Sequence, residues 1–567
     1  MSSEVCLSSV YEDFCASRNW HPRKLISDGL RRLEERLCSG EPALLLLDLP
    51  TSYGKTTITQ ALARKAIEGS PFFSRLIHVL PMRSIADQLG EKVKKDLKEG
   101  NGINKKNYTE AEIERKIAIQ HLGLNSSPYF AKKVVITTLD TFILNFYKAP
   151  VKEISRVFEG KGTHFDFPRA QIYSSLAIFD EFHLFSRMGT GKEDSKERSR
   201  SLTSVLCAVK SLCLAGVPVI VMTATMPKVM KSFLNEELGE YGITVLEEIY
   251  AKGDDPEYEN ERGSRHVDFS TVKREDLPGL CQRTLSEGKK VLCVFNTVKD
   301  AVKAFHELDR MDLKPFLIHG KLPEVVRKKR TEEISHGDSM KENTPKLAVS
   351  TQVIESGVDL SFDVLVTAPC PADRMMQRAG RVARDKHAYE GDVLIIENGG
   401  KDVSYGPYDP KLCDDTVKQV IEKNELTREI VDEVYRSEPI EKEKSLWKVL
   451  SWLDNFTLLD SSYVEKALEH YRGFTDNFGI VTGFMETKVE SDEKSDYAVG
   501  LSEQEAKRLL MQRRKVVKGN EVIELAGLEL RGLLNSPSLA LELQLREFDG
   551  IALEDFDPEI GYVKLEG

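Results

Sequence analysis

Short, nearly unbroken runs of apolar residues recur along the chain: Ala43 to Leu49, Leu76 to Leu80, Val134 to Ile136, Leu176 to Phe179, Val217 to Met222 and, further on, Val291 to Phe295 and Leu317-Ile318. Runs of this kind, without polar alternation, mark parallel strands buried on both faces. Helix-like stretches such as Lys24 to Leu37 and Ile58 to Ile67 lie between them. The alternation predicts an α/β chain with parallel sheets. A polar, breaker-rich stretch, Gly253-Asp254-Asp255-Pro256-Glu257 followed by Arg262-Gly263-Ser264, predicts a linker between two blocks. A second boundary is expected near Asn398-Gly399-Gly400. Beyond it, Asp415 to Tyr471 reads as amphipathic helices, and alternating apolar residues from Glu521 to Leu565 predict a small antiparallel element. The expected division is 1–252 for a first block with an N-terminal helix, 253–268 for the linker, 269–400 for a second block and 401–567 for a C-terminal α/β accessory domain.

The most informative strand is Ser175-Leu176-Ala177-Ile178-Phe179, because it delivers Asp180, Glu181 and His183 to one point. In open α/β sheets ligands sit beyond the carboxyl ends of the strands, where these side chains fall. Upstream, the run ending at Leu49 breaks into Pro50-Thr51-Ser52-Tyr53-Gly54-Lys55-Thr56-Thr57 and then a helix. Strand, tight loop and helix start are the context of a phosphate-binding loop. Backbone N–H groups of residues Thr51 to Thr57 would cradle phosphates, Lys55 would reach the β and γ oxygens, and the Thr56 hydroxyl would ligate Mg²⁺. Leu49 stands where the general motif has its first glycine, and Ser52 where helicases usually have one. Together the two segments predict a nucleotide hydrolase in which Thr56 and Asp180 hold the metal and Glu181 polarises the attacking water.

Charge developing on a γ-phosphate calls for a mobile cation. Candidates lie far downstream in Gln377-Arg378-Ala379-Gly380-Arg381-Val382-Ala383-Arg384, where Arg381 and Arg384 share one face of a helical turn. They follow Val349-Ser350-Thr351-Gln352-Val353-Ile354-Glu355-Ser356-Gly357-Val358-Asp359-Leu360. With these motifs the chain resembles a superfamily 2 DExH helicase. That resemblance implies two tandem RecA-like domains, with ATP and Mg²⁺ as ligands. It also implies that Gly357 and Asp359 contribute to nucleotide binding and Gln377 to the catalytic set.

Further segments resemble the family's motifs in order. Pro81-Met82-Arg83-Ser84 and Val134 to Asp140 look like strand-gripping motifs, and Thr223-Ala224-Thr225 resembles the motif that couples hydrolysis to strand binding. Asn296-Thr297 and His319-Gly320 follow strands of the second block. Arg83, Thr138, Asn296, Thr297 and Thr351 are the implied nucleic-acid contacts. His183 is expected to bond to Gln377 or to the Thr223 to Thr225 loop and report nucleotide state; its plainer reading is a partly buried histidine with a backbone partner. The box Asp180 to Phe185, Tyr53 in the P-loop, Leu80-Pro81-Met82-Arg83 and Val353 to Asp359 resemble the CRISPR-associated effector helicase of type I systems, with Phe556 to Tyr562 a looser match.

Members of that family move 3′ to 5′ on DNA after a guide-RNA surveillance complex opens an R-loop, so the resemblance implies single-stranded DNA and that complex as partners in antiviral defence. Many carry a fused HD nuclease that holds metals with an adjacent His-Asp pair. This sequence has no His-Asp dipeptide, and only His21 precedes the P-loop, so a separate HD-type nuclease subunit is expected. Between Trp20 and the P-loop there is no glutamine of the kind adenine-specific relatives use; Trp20, Pro22 and Arg23 bracket a base or staple the helix Lys24 to Leu37.

A net charge of −11 argues against a protein coated in positive charge, leaving local cations such as Arg83, Lys132, Lys133, Lys299 and Lys321 to meet a threaded strand. The clusters Arg327 to Arg330, Arg187 to Arg200 and Arg513-Arg514-Lys515 read as solvated faces or DNA contacts. Nine cysteines with no C-x-x-C pair argue against zinc and disulfides. No signal peptide or membrane span is predicted, and the expected location is the cytoplasm. An RNA helicase, a repair translocase outside CRISPR, and a non-hydrolysing scaffold are the alternatives.

Overall fold

The structure, a computed structural model, describes residues 6–99, 107–121, 124–158, 161–186, 188–191, 200–262, 266–335, 346–355, 360–383, 390–397, 399–455, 462–471, 473–476, 481–536, 539, 542–543 and 546–563. These divide into two compact units. Residues 6–188, 200–262 and 436–476 supply the first, and 189–191, 266–435 and 481–563 the second.

The apolar runs of the first unit become β1 (Ala43–Asp48), β2 (Arg75–Leu80), β3 (Ile117–His121), β4 (Leu124–Asn125), β5 (Val134–Thr138), β6 (Ser175–Phe179), β7 (Val219–Thr223) and β8 (Thr244–Ile249). Their order across the sheet is β4-β3-β5-β2-β6-β7-β1-β8, parallel except for the β3–β4 pair. Every residue of β1, β5, β6 and β7 is buried, which is why these strands read as continuous apolar runs. Asp48 stands opposite Thr223 and Phe179 opposite Val221, so the segments after β1, β6 and β7 leave one edge of the sheet side by side. Helix Lys24–Cys38 buries Ile26, Leu30 and Leu33. Its Gly29 lies so close to β1 that a Cβ there would stand 2.9 Å from the Leu45 side chain.

The second unit contains a fully parallel sheet of β9 (His266–Val272), β10 (Val291–Val294), β11 (Phe316–Ile318), β12 (Leu347–Ser350), β13 (Val364–Thr367) and β14 (Glu390–Ile396), in the order β11-β12-β10-β13-β14-β9. It also contains a five-stranded mixed sheet, β15 (Val481–Met485), β16 (Ala498–Leu501), β17 (Lys515–Lys518), β18 (Glu521–Glu524) and β19 (Gly550–Leu553), ordered β16-β15-β19-β17-β18. The two tandem parallel α/β sheets match the expected RecA-like class. The terminal element is larger than the alternating pattern predicted. It begins at Val481, and its β15–β19 pair is parallel.

Two domain boundaries need correction. Residues 256–262 of the expected linker form a helix whose Tyr258 is buried in the core of the first unit, and 266–268 open β9. The breaker-rich composition there is a helix start: Asp255 Oδ1 accepts from the Tyr258 amide at 3.0 Å, ahead of Pro256 at the first helical position. Nor does 401–567 form one domain. Helices Pro410–Lys423 and Arg428–Val434 belong to the second unit, whereas Lys444–Asn455 packs against Arg200–Leu214 in the first. Lys210 Nζ reaches Ser451 Oγ at 3.3 Å, and Arg169 pairs with Asp454 at 2.7 Å. An amphipathic pattern says that a helix has an apolar face and not which surface receives it.

The tail segment is anchored within the second unit. His319 Nε2 meets the Ile560 carbonyl at 2.9 Å, and Nδ1 accepts from the Lys321 amide at 3.1 Å. Burial, with Arg330, Arg327 and Lys321 adding to it against the Ile560 bond, pushes the imidazole down to about 4, so it is neutral and donates from Nε2. Gly561 has φ +80°, and a Cβ there would lie 2.4 Å from the Lys321 carbonyl oxygen, which explains glycine in Glu559-Ile560-Gly561-Tyr562.

Candidate nucleotide-hydrolysis site

β1 delivers the loop Leu49 to Gly54, and Lys55–Glu68 is the helix it opens. Gly54, at φ +103°, sits at the N-cap without a side-chain cap, so no N-cap side chain competes with an anion at the helix start. Lys55 Nζ donates to the Leu49 carbonyl at 2.8 Å, spanning the loop. Ser52 has φ +70°, the left-handed region that favours glycine, so the residue usual in helicases here has a conformational reason. Thr56 and Thr57 follow in the first turn, half-buried. Tyr53 departs from its expected place among the phosphate-binding residues. Its side chain is fully buried, its amide donates to Pro50 O at 3.2 Å, and its hydroxyl donates to Asp255 Oδ2 at 2.6 Å.

β6 is followed directly by Asp180, whose amide donates to Val79 O at 2.9 Å. The carboxylate accepts from the Glu181 amide at 2.8 Å, and Oδ2 lies 3.5 Å from His78 Nε2. His78 is fully buried on β2, and its Nδ1 lies 3.0 Å from Thr59 Oγ1 on the P-loop helix. Burial alone raises the Asp180 carboxyl, but the His78 bond and charge, then Lys55 and the Glu181 amide, hold it below the usual carboxylate range. It is therefore ionised at neutral pH. Glu181 takes φ +50°, and its Oε2 stands 3.6 Å from His183 Nδ1. A strained backbone beside a reacting group is a common mark of functional sites.

His183 is buried, with Nδ1 2.8 Å from Thr223 Oγ1 and Nε2 3.4 Å from Thr225 Oγ1. The structure thus brings His183 to the Thr223 to Thr225 loop, one of its two expected partners. Phe182 is fully buried and meets Phe185 edge-on, 5.5 Å between centroids, which fixes the one-turn helix after the acids. Thr138 is buried against Thr141, 3.2 Å between hydroxyls, and does not present its side chain as a phosphate donor. Arg83 stands near Asp140, whose carboxyl burial pushes up against the opposing Thr475 bond and Arg83 charge.

In the second unit Asn296 overturns the expected nucleic-acid role. Its Nδ2 donates to Pro369 O at 2.7 Å and Ser404 O at 3.0 Å, and its Oδ1 accepts from Arg378 at 2.9 Å, so its polar atoms face inward. The Thr297 hydroxyl accepts from the Asp300 amide at 3.1 Å and caps helix Val298–Asp309, and Thr351 is buried. Gln377 and Arg381 are buried, and Arg381 donates to the Glu355 carbonyl at 2.6 Å. Gly357, Asp359 and Arg384 lie outside the described residues. Among the local cations, Lys321 is paired with Glu505 at 2.5 Å, Lys132 donates to Ile117 O at 3.1 Å and Lys133 to Ser74 O at 3.1 Å. Of the clusters, Arg330 is buried on Leu317 O, and Arg513 and Lys515 both pair with Glu486.

Comparison with known proteins follows the same order along the chain. Residues 35–233 match the family model described as DEAD/DEAH box helicase, and residues 287–387 match the one described as CRISPR-associated nuclease/helicase Cas3, C-terminal. Together the two matches support a CRISPR-associated superfamily 2 helicase. The chain is 23% identical over 418 residues to the CRISPR-associated helicase Cas3 of Thermoproteus tenax, covering 70% of this chain and 64% of the relative. It is 27% identical over 281 residues to the CRISPR-associated nuclease/helicase Cas3 of Methanothermobacter thermautotrophicus, covering 45% and 32%. The chain thus spans between about a third and two thirds of these relatives. The fold is similar to that of T. fusca Cas3-ATP, with TM-score 0.58, 14% identity, and coverage of 86% of this chain and 65% of that one.

Sequence reasoning missed three residues of this helicase that bear on its motifs. His78 reads as one polar residue in an apolar strand, and a buried histidine two residues before the strand end is the only local signal. Asp255 sits in a segment whose composition suggests a linker. Arg378 is hidden between Gln377 and Arg381, yet it is fully buried and spends its fork on Glu355, Thr367, Ala368 and Asn296.

Proposed function

We propose that this helicase is an ATP-driven motor on single-stranded DNA, moving 3′ to 5′ along the displaced strand of an R-loop recruited by a guide-RNA surveillance complex in type I CRISPR interference. DNA cleavage comes from an HD-type nuclease whose metal-binding residues are not in this sequence. The observation that carries the reading is the convergence of the P-loop, Asp180-Glu181 and Thr223 to Thr225 at one sheet edge, with Asp180 held ionised by His78 and Lys55.

In the reaction, the Gly54 to Thr57 helix start and Lys55 bind the β and γ phosphates, with a phosphate oxygen replacing the Leu49 carbonyl on Lys55. A hydroxyl and a carboxylate form a hard-oxygen donor set, and Thr56 and Asp180 would hold Mg²⁺, which neutralises phosphate charge when bound. Glu181 orients the attacking water and accepts its proton. Arg381 and Arg384 are the assigned counter-charges to the γ-phosphate. His183 lies between Glu181 and the Thr223 to Thr225 loop and so links hydrolysis to strand binding.

ATPase activity measured with single-stranded DNA and with RNA of the same sequence tests the substrate, and unwinding of duplexes tailed at either end tests polarity. DNA stimulation and unwinding from a 3′ tail are expected; RNA-only stimulation defeats the reading in favour of an RNA helicase. Copurification of a small HD-type nuclease and a guide-RNA complex tests the partners. In the same assays His183→Ala keeps ATP affinity and loses most of the DNA stimulation, because the link from Glu181 to Thr223 is cut. Undiminished stimulation would remove His183 from the coupling path.

A further inference from the structure

The helix Pro256–Arg262 is tied to the P-loop by a set of contacts, centred on the buried Tyr53–Asp255 bond, that nucleotide chemistry does not require. The fully buried Tyr53 hydroxyl donates to Asp255 Oδ2 at 2.6 Å, while the other oxygen of the same carboxylate caps the helix through the Tyr258 amide. Tyr53 packs against Tyr258 at 4.8 Å and Tyr250 at 5.7 Å between ring centroids, and Tyr258 Oη lies 3.5 Å from the Thr51 carbonyl. The Arg23 guanidinium lies over the Tyr53 and Tyr258 rings, 5.9 and 5.2 Å from their centroids, and pairs with Glu261 at 2.5 Å. Tyr250 closes the set by donating to Glu259 Oε1 at 3.0 Å. One strained P-loop residue, Ser52, directly precedes the anchor.

We propose that Tyr53 and Asp255 are positioning residues for nucleotide binding: they hold the P-loop in its left-handed turn and carry nucleotide occupancy to helix Pro256–Arg262. The proposal rests on the reading of Gly54-Lys55-Thr56 as the triphosphate site. A non-glycine residue at φ +70° persists only where its neighbours over-determine it, and Tyr53 is the neighbour whose side chain is locked. Because the loop and the helix share one carboxylate, a shift of the loop backbone on phosphate binding changes the same bond that caps the helix. After Arg262 the chain passes into the second unit, so this helix directly precedes that crossing.

The test uses the full chain, Mg²⁺–ATP and a non-hydrolysable ATP analogue. Tyr53→Phe keeps the ring and deletes the donor, and Asp255→Asn keeps a helix cap and deletes the charge. Each is expected to weaken analogue binding and raise the KM for ATP about tenfold, the weight of one charge-assisted hydrogen bond. The double variant is no weaker than the worse single, because both remove one interaction. Hydrogen exchange of residues 256–262 slows when the analogue binds to the unaltered chain, and this protection is lost in both variants; a purely structural contact would leave it in place. Unchanged affinity in both singles, or protection retained in both, overturns the proposal. Failure of the unaltered chain to bind the analogue overturns the nucleotide reading itself, and the role of Tyr53 and Asp255 with it.

Discussion

Replacing Glu181 with Gln lowers kcat for ATP by about 10³, within the span a general base contributes, while ATP and Mg²⁺ binding persists with or without single-stranded DNA. The amide has the shape of the carboxylate and keeps its place at φ +50°, so the loss isolates proton acceptance from packing. Asp180 stays ionised, because its supports are His78, Lys55 and the Glu181 amide, and the variant alters none of them. Phosphate release under saturating ATP measures the effect. Normal turnover would mean that another group accepts the proton, and the role of the whole strand end would have to be redrawn.

The second large effect is structural. Arg378→Met lowers the stability of the second unit by about 3–5 kcal/mol, the usual cost of breaking a buried ion pair from one side. Arg378 Nε donates to Glu355 Oε1 at 2.8 Å, Nη1 to Thr367 Oγ1 at 2.9 Å and Ala368 O at 3.2 Å, and Nη2 to Asn296 Oδ1 at 2.9 Å. Methionine leaves the Glu355 carboxylate, 3% exposed, with Arg374 at 3.5 Å as its remaining cation among the described residues. Arg378→Lys keeps the charge and still loses most of the stability, since an ammonium cannot reproduce the planar fork. Calorimetry of the full chain should show the transition of the second unit falling by roughly 10 °C. A shift below about 2 °C in both variants would show that the hub contributes little to folding.

The hub also bears on Arg381, whose side chain donates to the carbonyl of the same Glu355. Segments that the sequence presents as three separate motifs, at Asn296, Glu355 and Arg378, are one hydrogen-bonded object. Loss of activity in an Arg378 variant therefore reports the placement of Arg381 and is not evidence that Arg378 touches nucleotide.

The sequence by itself determined the fold class and the order of the helicase motifs. Strands buried on both faces have to be apolar throughout, so β1, β5, β6 and β7 were visible as runs. A phosphate loop needs a glycine and a lysine at a helix start within a few residues, and the two acids sit on one strand end, so each signal is local. The tertiary structure alone decided where polar side chains point and which surface receives an amphipathic helix. Asn296 follows a strand as the expected contacts do, yet its polar atoms turn inward, because buried donors and acceptors must be paired and its partners at Pro369, Arg378 and Ser404 lie far along the chain. Tyr53 sits in the phosphate loop by sequence and in the core by packing, held by an aspartate some two hundred residues away. Helices 410–434 and 444–455 have similar patterns and join different units. Pairing and burial depend on long-range neighbours, and local periodicity carries no record of them.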